Sequence, residues 1–168
     1  MEDLEAVYRQ HAPAVFRYAW GLCGDRHTAE DLVSETFVRL VTRAPRLETR
    51  TALAYLLAIA RNAYLNGQRR RRREMPLTAD IPAPGRDLAE SSEQRVRLAA
   101  VLVALRSLPE GERSALLLRA DHELSYEEIA VVLGISVGAA RVRVHRARMH
   151  LLGSADRKEN GLDARSHP

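Results

Sequence analysis

The sequence predicts an all-α chain of two small helical domains, and three observations carry that prediction. Apolar residues recur at helical spacing through most of the chain, and no stretch shows the two-residue alternation of a strand. The periodicity stops in EMPLTADIPAPGRDLAESS, which holds three prolines, a glycine and more acids than bases. Beyond it stands a pair of short helices joined by a tight turn, the second dense in arginine. The domains read as residues 1–73 and 93–152, with a flexible linker at 74–92 and a polar tail at 153–168. That tail is too short for a large C-terminal regulatory domain.

Taken in order, Asp3–Leu22 is the first predicted helix, with Leu4, Val7, Tyr8, Val15, Tyr18 and Ala19 as its candidate core. Pro13 is a place for a kink. Thr28–Thr42 is the second helix and turns Leu32, Val33, Thr36, Phe37 and Leu40 inward. A loop, RAPRLET, contains Pro45. The third helix runs from Thr51 to about Arg71, with Leu53, Leu56, Ile59, Ala60, Ala63 and Tyr64 on its inner face, and weakens near Gly67. After the linker the helical pattern covers Glu93–Leu108, breaks at Pro109 and resumes over Glu110–Ala120.

The most specific stretch is SYEEIAVVLGISVGAARVRVHRARMHLL, Ser125 to Leu152. Ser125 with Glu128 has the form of a capping box, so a helix starts there. Ile129, Ala130, Val132 and Leu133 carry its apolar face. Gly134 can take positive φ and end it, and Ser136 can cap a second helix from Val137 to about Leu152. This is a helix-turn-helix signature, and DNA is the first partner to consider. At about 100° per residue, Val137, Ala140, Val144, Ala147 and Leu151 share the inward stripe. Gly138, Val142, His145, Arg146 and Met149 lie opposite, flanked by Arg141 and Arg143. That outer face carries no acid, whereas a merely solvated helix interleaves both signs. Arginine offers a fork to guanine edges or phosphates, and an apolar side chain can meet a thymine methyl.

Composition agrees with this reading. The 168 residues are 46% apolar and 29% charged, as in an ordinary soluble domain. The formal charge is only +4, yet the pI is near 9.7, and every basic residue except Lys158 is arginine. Cys23 is the single cysteine, which excludes an internal disulfide and any cysteine-pair metal site. The six histidines show no ligand spacing, and no nucleotide-binding loop or catalytic constellation is present. No cofactor, metal or enzymatic activity is therefore expected. The longest apolar run, Ala52 to Ala60, is too short to span a bilayer, and the N-terminus lacks a signal peptide, so a cytoplasmic location is expected.

Two further features point to partners. IARNAYLNGQRRRRR places Arg61 and then Arg69–Arg73 on the third helix with no acid between them, which suits a phosphate backbone. Favourable charge at a helix C-terminus accounts for the same run equally well. The second helix turns Glu30, Asp31, Glu35 and Asp25 outward. In a DNA-binding chain such an acidic face points away from DNA, which makes it a candidate protein-docking surface.

Four segments in order, AEDLVSETFVRL, IARNAYLNGQRRRRR, LPEGERSALLLRADHELSYEEIA and VGAARVRVHRAR, resemble the signatures of extracytoplasmic-function sigma factors, the small two-domain members of the sigma-70 family. The resemblance covers the chain from Leu4 to Leu152. It implies that the chain binds bacterial core RNA polymerase and directs promoter recognition, DNA melting and initiation, the chemistry belonging to the polymerase. It assigns Glu30, Asp31 and Glu35 to the polymerase. It assigns Arg61, Asn62, Asn66 and Arg69, Arg70, Arg71, Arg72 and Arg73 to the single-stranded minus-ten element, with Asn62 at a flipped base and the arginines at phosphate. It places Arg141, Val142, His145 and Arg146 at base edges of the double-stranded upstream (minus-thirty-five) element, with Arg143 and Arg148 nearer the backbone. An anti-sigma factor is a further partner compatible with the family, although no residue here encodes one.

The chain departs from the family at Ser34, Tyr55, Asn66, Gly67, Ala139 and Val142, and its loop from Ala44 to Thr51 has no aromatic residue to stack on a base. No promoter consensus transfers across those changes. A stand-alone helix-turn-helix regulator is the alternative for the C-terminal third, but its N-terminal part would then form a ligand pocket or dimer interface. A small recombinase would need an α/β catalytic domain, for which no strand pattern exists.

Overall fold

Asp25 shows how local chemistry sets the first helix boundary. Its carboxylate accepts hydrogen bonds from the Thr28 amide at 2.8 Å and the Thr28 hydroxyl at 2.6 Å, which caps the second helix. Those bonds hold the Asp25 carboxyl below the usual carboxylate range. Asp25 is thus a structural cap, not part of an outward docking face as the sequence suggested. The computed structural model describes residues 4–43, 51–74 and 92–163, and it places seven helices and no strand among them. They are α1 Leu4–Cys23, α2 Arg26–Arg43, α3 Ala52–Glu74, α4 Ser92–Arg106, α5 Glu110–Ala120, α6 Tyr126–Leu133 and α7 Val137–Asp163. The Pro45 loop and all but the ends of the 74–92 linker lie outside the described residues.

Helix α1 carries Pro13 inside it, as its predicted span did. Several expectations shift. Helix α3 runs unbroken past Gly67 to Glu74. Helix α7 extends to Asp163, so most of the expected polar tail is helical, and no proline interrupts the span between Gly153 and Asp163. Leu4 and Tyr8 are about half exposed instead of buried. They occupy the first turns of α1, where the Tyr8 ring meets Phe37 edge-on at 4.7 Å.

Helices α1, α2 and α3 pack mutually, and α5, α6 and α7 form a second bundle. The two bundles also pack against each other through α1–α5, α1–α4 and α3–α6, which separation by a linker alone would not have suggested. The principal core runs continuously from Val15, Leu22 and Leu57 in the first bundle to Ala115, Leu118 and Ile129 in the second. Tyr18 and Ser114, both fully buried, share a hydrogen bond across the boundary. Burial pushes the Tyr18 phenol well above its ordinary value, so it stays neutral.

The C-terminal end of α1 is closed from the other bundle. Arg113 Nη1 donates to the Leu22 carbonyl at 2.6 Å, and Arg106 Nη2 donates to the Cys23 carbonyl at 3.1 Å. Two cations at a helix C-terminus satisfy carbonyls that have no intrahelical partner and oppose the negative end of the dipole. Gly24 makes this possible: its φ is 71°, and a Cβ there would lie 2.7 Å from Arg106 Nε. Arg17 adds a contact to Asp121 at 3.3 Å.

Candidate nucleic-acid interface

The helix-turn-helix forms as its sequence dictates. The Ser125 amide donates to Glu128 Oε2 at 3.0 Å, and the Glu128 amide donates to Ser125 Oγ at 3.2 Å, completing the capping box. Gly134 is left-handed at φ 65°, ψ 40°, and the Ile135 amide reaches back to the Ala130 carbonyl at 3.0 Å. Ser136 Oγ accepts from the Ala139 amide at 3.1 Å and starts α7. Ala140, Val144 and Ala147 are buried, with Val137 and Leu151 half-buried beside them. Arg141, Val142, His145, Arg146 and Arg148 are exposed.

Arg143 departs from that set. It is half-buried, and its guanidinium sits against Gly111 in the first turn of α5, where a Cβ would lie 2.6 Å from Nη1. Glycine at position 111 lets that guanidinium approach the α5 backbone. His150 makes a second link between these helices, its Nδ1 lying 2.7 Å from Glu112 Oε2.

The second basic surface lies along the last turns of α3. Asn62, Asn66 and Arg69–Arg73 are all exposed. Asn66, Arg69, Arg70 and Arg73, with Glu74 at one end, line an open groove of about 450 Å³. Amide groups beside several fixed cations suit a strand that offers phosphates and unpaired base edges. Arg61 is not on this surface. It is only 9% exposed, and it donates from Nε to Glu110 Oε1 at 2.9 Å and from Nη2 to Glu110 Oε2 at 3.0 Å. The bidentate pair bridges α3 and α5.

On α2, Glu30, Asp31 and Glu35 are exposed as expected. Glu30 and Glu35 hold intrahelical partners, Arg26 at 3.3 Å and Arg39 at 2.6 Å. Val38 and Val41 are 59% and 60% exposed on the same side of the helix, and sequence reasoning missed them. The helical wheel would have found them, because neither falls on the stripe of Leu32, Val33, Thr36 and Phe37. The face is therefore acidic and apolar together.

Two packed helical bundles, one with a basic groove and an acidic face and one with a basic helix-turn-helix, define a two-domain helical protein with surfaces suited to nucleic acid. Residues 7–74 match the family described as Sigma-70 region 2, and residues 98–151 match Sigma-70, region 4. The chain belongs to the extracytoplasmic-function sigma factors of that family. It is 38% identical over 157 residues to the ECF RNA polymerase sigma factor SigE of Mycolicibacterium smegmatis, covering 90% of this chain and 61% of that protein. To the RNA polymerase sigma factor CarQ of Myxococcus xanthus it is 32% identical, covering 86% of this chain and 84% of that one. Its fold matches the sigma factor RpoE from Bartonella quintana, solved with the anti-sigma factor NepR, at a TM-score of 0.77 and 26% identity, over 90% of this chain and 95% of the other. The protein is a sigma factor that acts with core RNA polymerase at promoters, which sets aside the stand-alone regulator. No described helix is long and apolar enough to cross a membrane.

Proposed function

We propose that three surfaces of this sigma factor divide the work of initiation. The α2 face of Glu30, Asp31, Glu35, Val38 and Val41 docks core polymerase. Asn62, Asn66 and Arg69–Arg73 hold the minus-ten element as single strand. Arg141, Val142, His145 and Arg146 read the upstream element, with Arg148 at its backbone. The observation that carries the assignment is the separation of charge: the exposed acids of α2 lie on a different helix from both basic surfaces, and two exposed valines lie among them. A mixed acidic and apolar face suits a protein partner and disfavours DNA. The protein works in the cytoplasm, performs no chemistry itself, and takes an anti-sigma factor as a further partner, as the Bartonella relative does.

The same reading demands that the two bundles separate. The two elements lie about 25 base pairs apart, or about 85 Å along B-form DNA. A closed body of this length has a radius of gyration of only about 15 Å. The chain between Glu74 and Ser92 reaches about 60 Å when extended, enough for the opened bundles to approach both elements.

Reversing charge at Asp31 and Glu35 tests the docking surface. The double variant Asp31→Lys, Glu35→Lys is expected to bind core polymerase about tenfold more weakly, with a melting temperature close to wild type, because both side chains are exposed and the Glu35–Arg39 pair it breaks is an i,i+4 surface contact. Unaltered core affinity returns these acids to plain solvation.

A further inference from the structure

Two guanidinium groups share the ring of Tyr126. Arg119 Cζ lies 4.5 Å and Arg141 Cζ 5.3 Å from its centroid. Tyr126 opens α6 directly after Ser125, so the capping box fixes its backbone. Its side chain is half-buried and packs against the principal core. Arg119 is itself tied down, its Nη1 donating to the Leu124 carbonyl at 2.9 Å. Among the described residues no ring lies against Arg146 or Arg148, the other exposed arginines of the same helix face.

We propose that Tyr126 is a positioning residue for DNA reading, whose ring holds the Arg141 guanidinium in place before DNA arrives. The proposal rests on the assignment of Arg141 to the upstream element. An arginine free in solvent loses most of its rotamer freedom when it docks on a base or phosphate. A ring contact removes part of that loss beforehand. It also engages the guanidinium through the face of the ring, leaving in-plane N–H donors for a guanine edge or a phosphate. Arg119, anchored to backbone, braces the ring from α5. Tyr126 thereby links the first helix of the motif to the reading side chain of the second.

The test uses the complex of the full chain with core polymerase, on a duplex that the wild-type complex selects from a randomised pool. Tyr126→Leu keeps apolar volume and removes the ring. It is expected to weaken binding about two- to fivefold and to relax preference at the base that Arg141→Ala also relaxes. Tyr126→Phe should behave as wild type. In an Arg141→Ala background, Tyr126→Leu should cost nothing further. Full affinity and preference in a folded Tyr126→Leu protein, or an undiminished loss in the Arg141→Ala background, would overturn the proposal. An Arg141→Ala variant with unchanged affinity and preference instead removes the underlying assignment, and the proposal with it. One measurement needs no variant: the Arg141 side-chain proton resonances of the free protein should be shifted upfield by the ring. Random-coil positions there would also overturn it.

Discussion

Glu110→Ala opens the chain. Removing this carboxylate leaves the Arg61 guanidinium buried with no acid to receive its two hydrogen bonds. Stranding one partner of a buried pair costs about 3–5 kcal/mol when the structure cannot relax. Arg61 and Glu110 belong to different bundles, so parting them returns the cation to water, against the cost of exposing the apolar core that the bundles share. Small-angle scattering of the free variant should show a radius of gyration rising from about 15 Å to above about 20 Å. Opening also frees Arg61 to join Asn62 and the arginine run, so the variant should bind core polymerase and promoter more readily than wild type. An unchanged radius with a lower melting temperature would show instead that the two bundles unfold as one unit.

Neutralising Arg70 and Arg73 together acts on a different quantity. Both line the groove at the end of α3. As phosphate ligands they carry no sequence information, so their removal should lower promoter affinity on every sequence alike. The log–log slope of affinity against salt should flatten by about 0.7 to 1 for each phosphate no longer neutralised, and duplex opening should slow. Base preference at the upstream element should stay as it was. An unaltered salt slope would remove these arginines from the DNA-binding surface, and altered upstream preference would contradict their role as phosphate ligands.

What the sequence made legible was local. Ser125, Glu128, Gly134 and Ser136 act on backbone groups within a few residues, and the structure realises each of those caps. The face of α7 follows from periodicity, which needs no knowledge of neighbours. Partners distant in sequence leave no comparable signal. Arg61 lies 49 residues from Glu110, and Tyr18 lies 96 from Ser114, so the closure of the bundles was not readable. Arg143 fell on the outer half of the wheel, yet a gap over Gly111 on another helix draws it inward. Leu4 and Tyr8 had the right period but stand in the first turns of α1, where each stays about half exposed. Asp25 read as an exposed acid because its role depends on where α2 begins, and helix ends are the least determined part of a periodic pattern.

As a sigma factor, this chain is expected to confer promoter choice on core RNA polymerase. The most direct test is run-off transcription by core RNA polymerase on DNA fragments that the reconstituted complex selects from the source genome. Core polymerase with the full chain should yield discrete transcripts with fixed start sites, and core alone should yield none of them. The same transcripts from core alone, or no discrete product once the chain is added, would contradict the account.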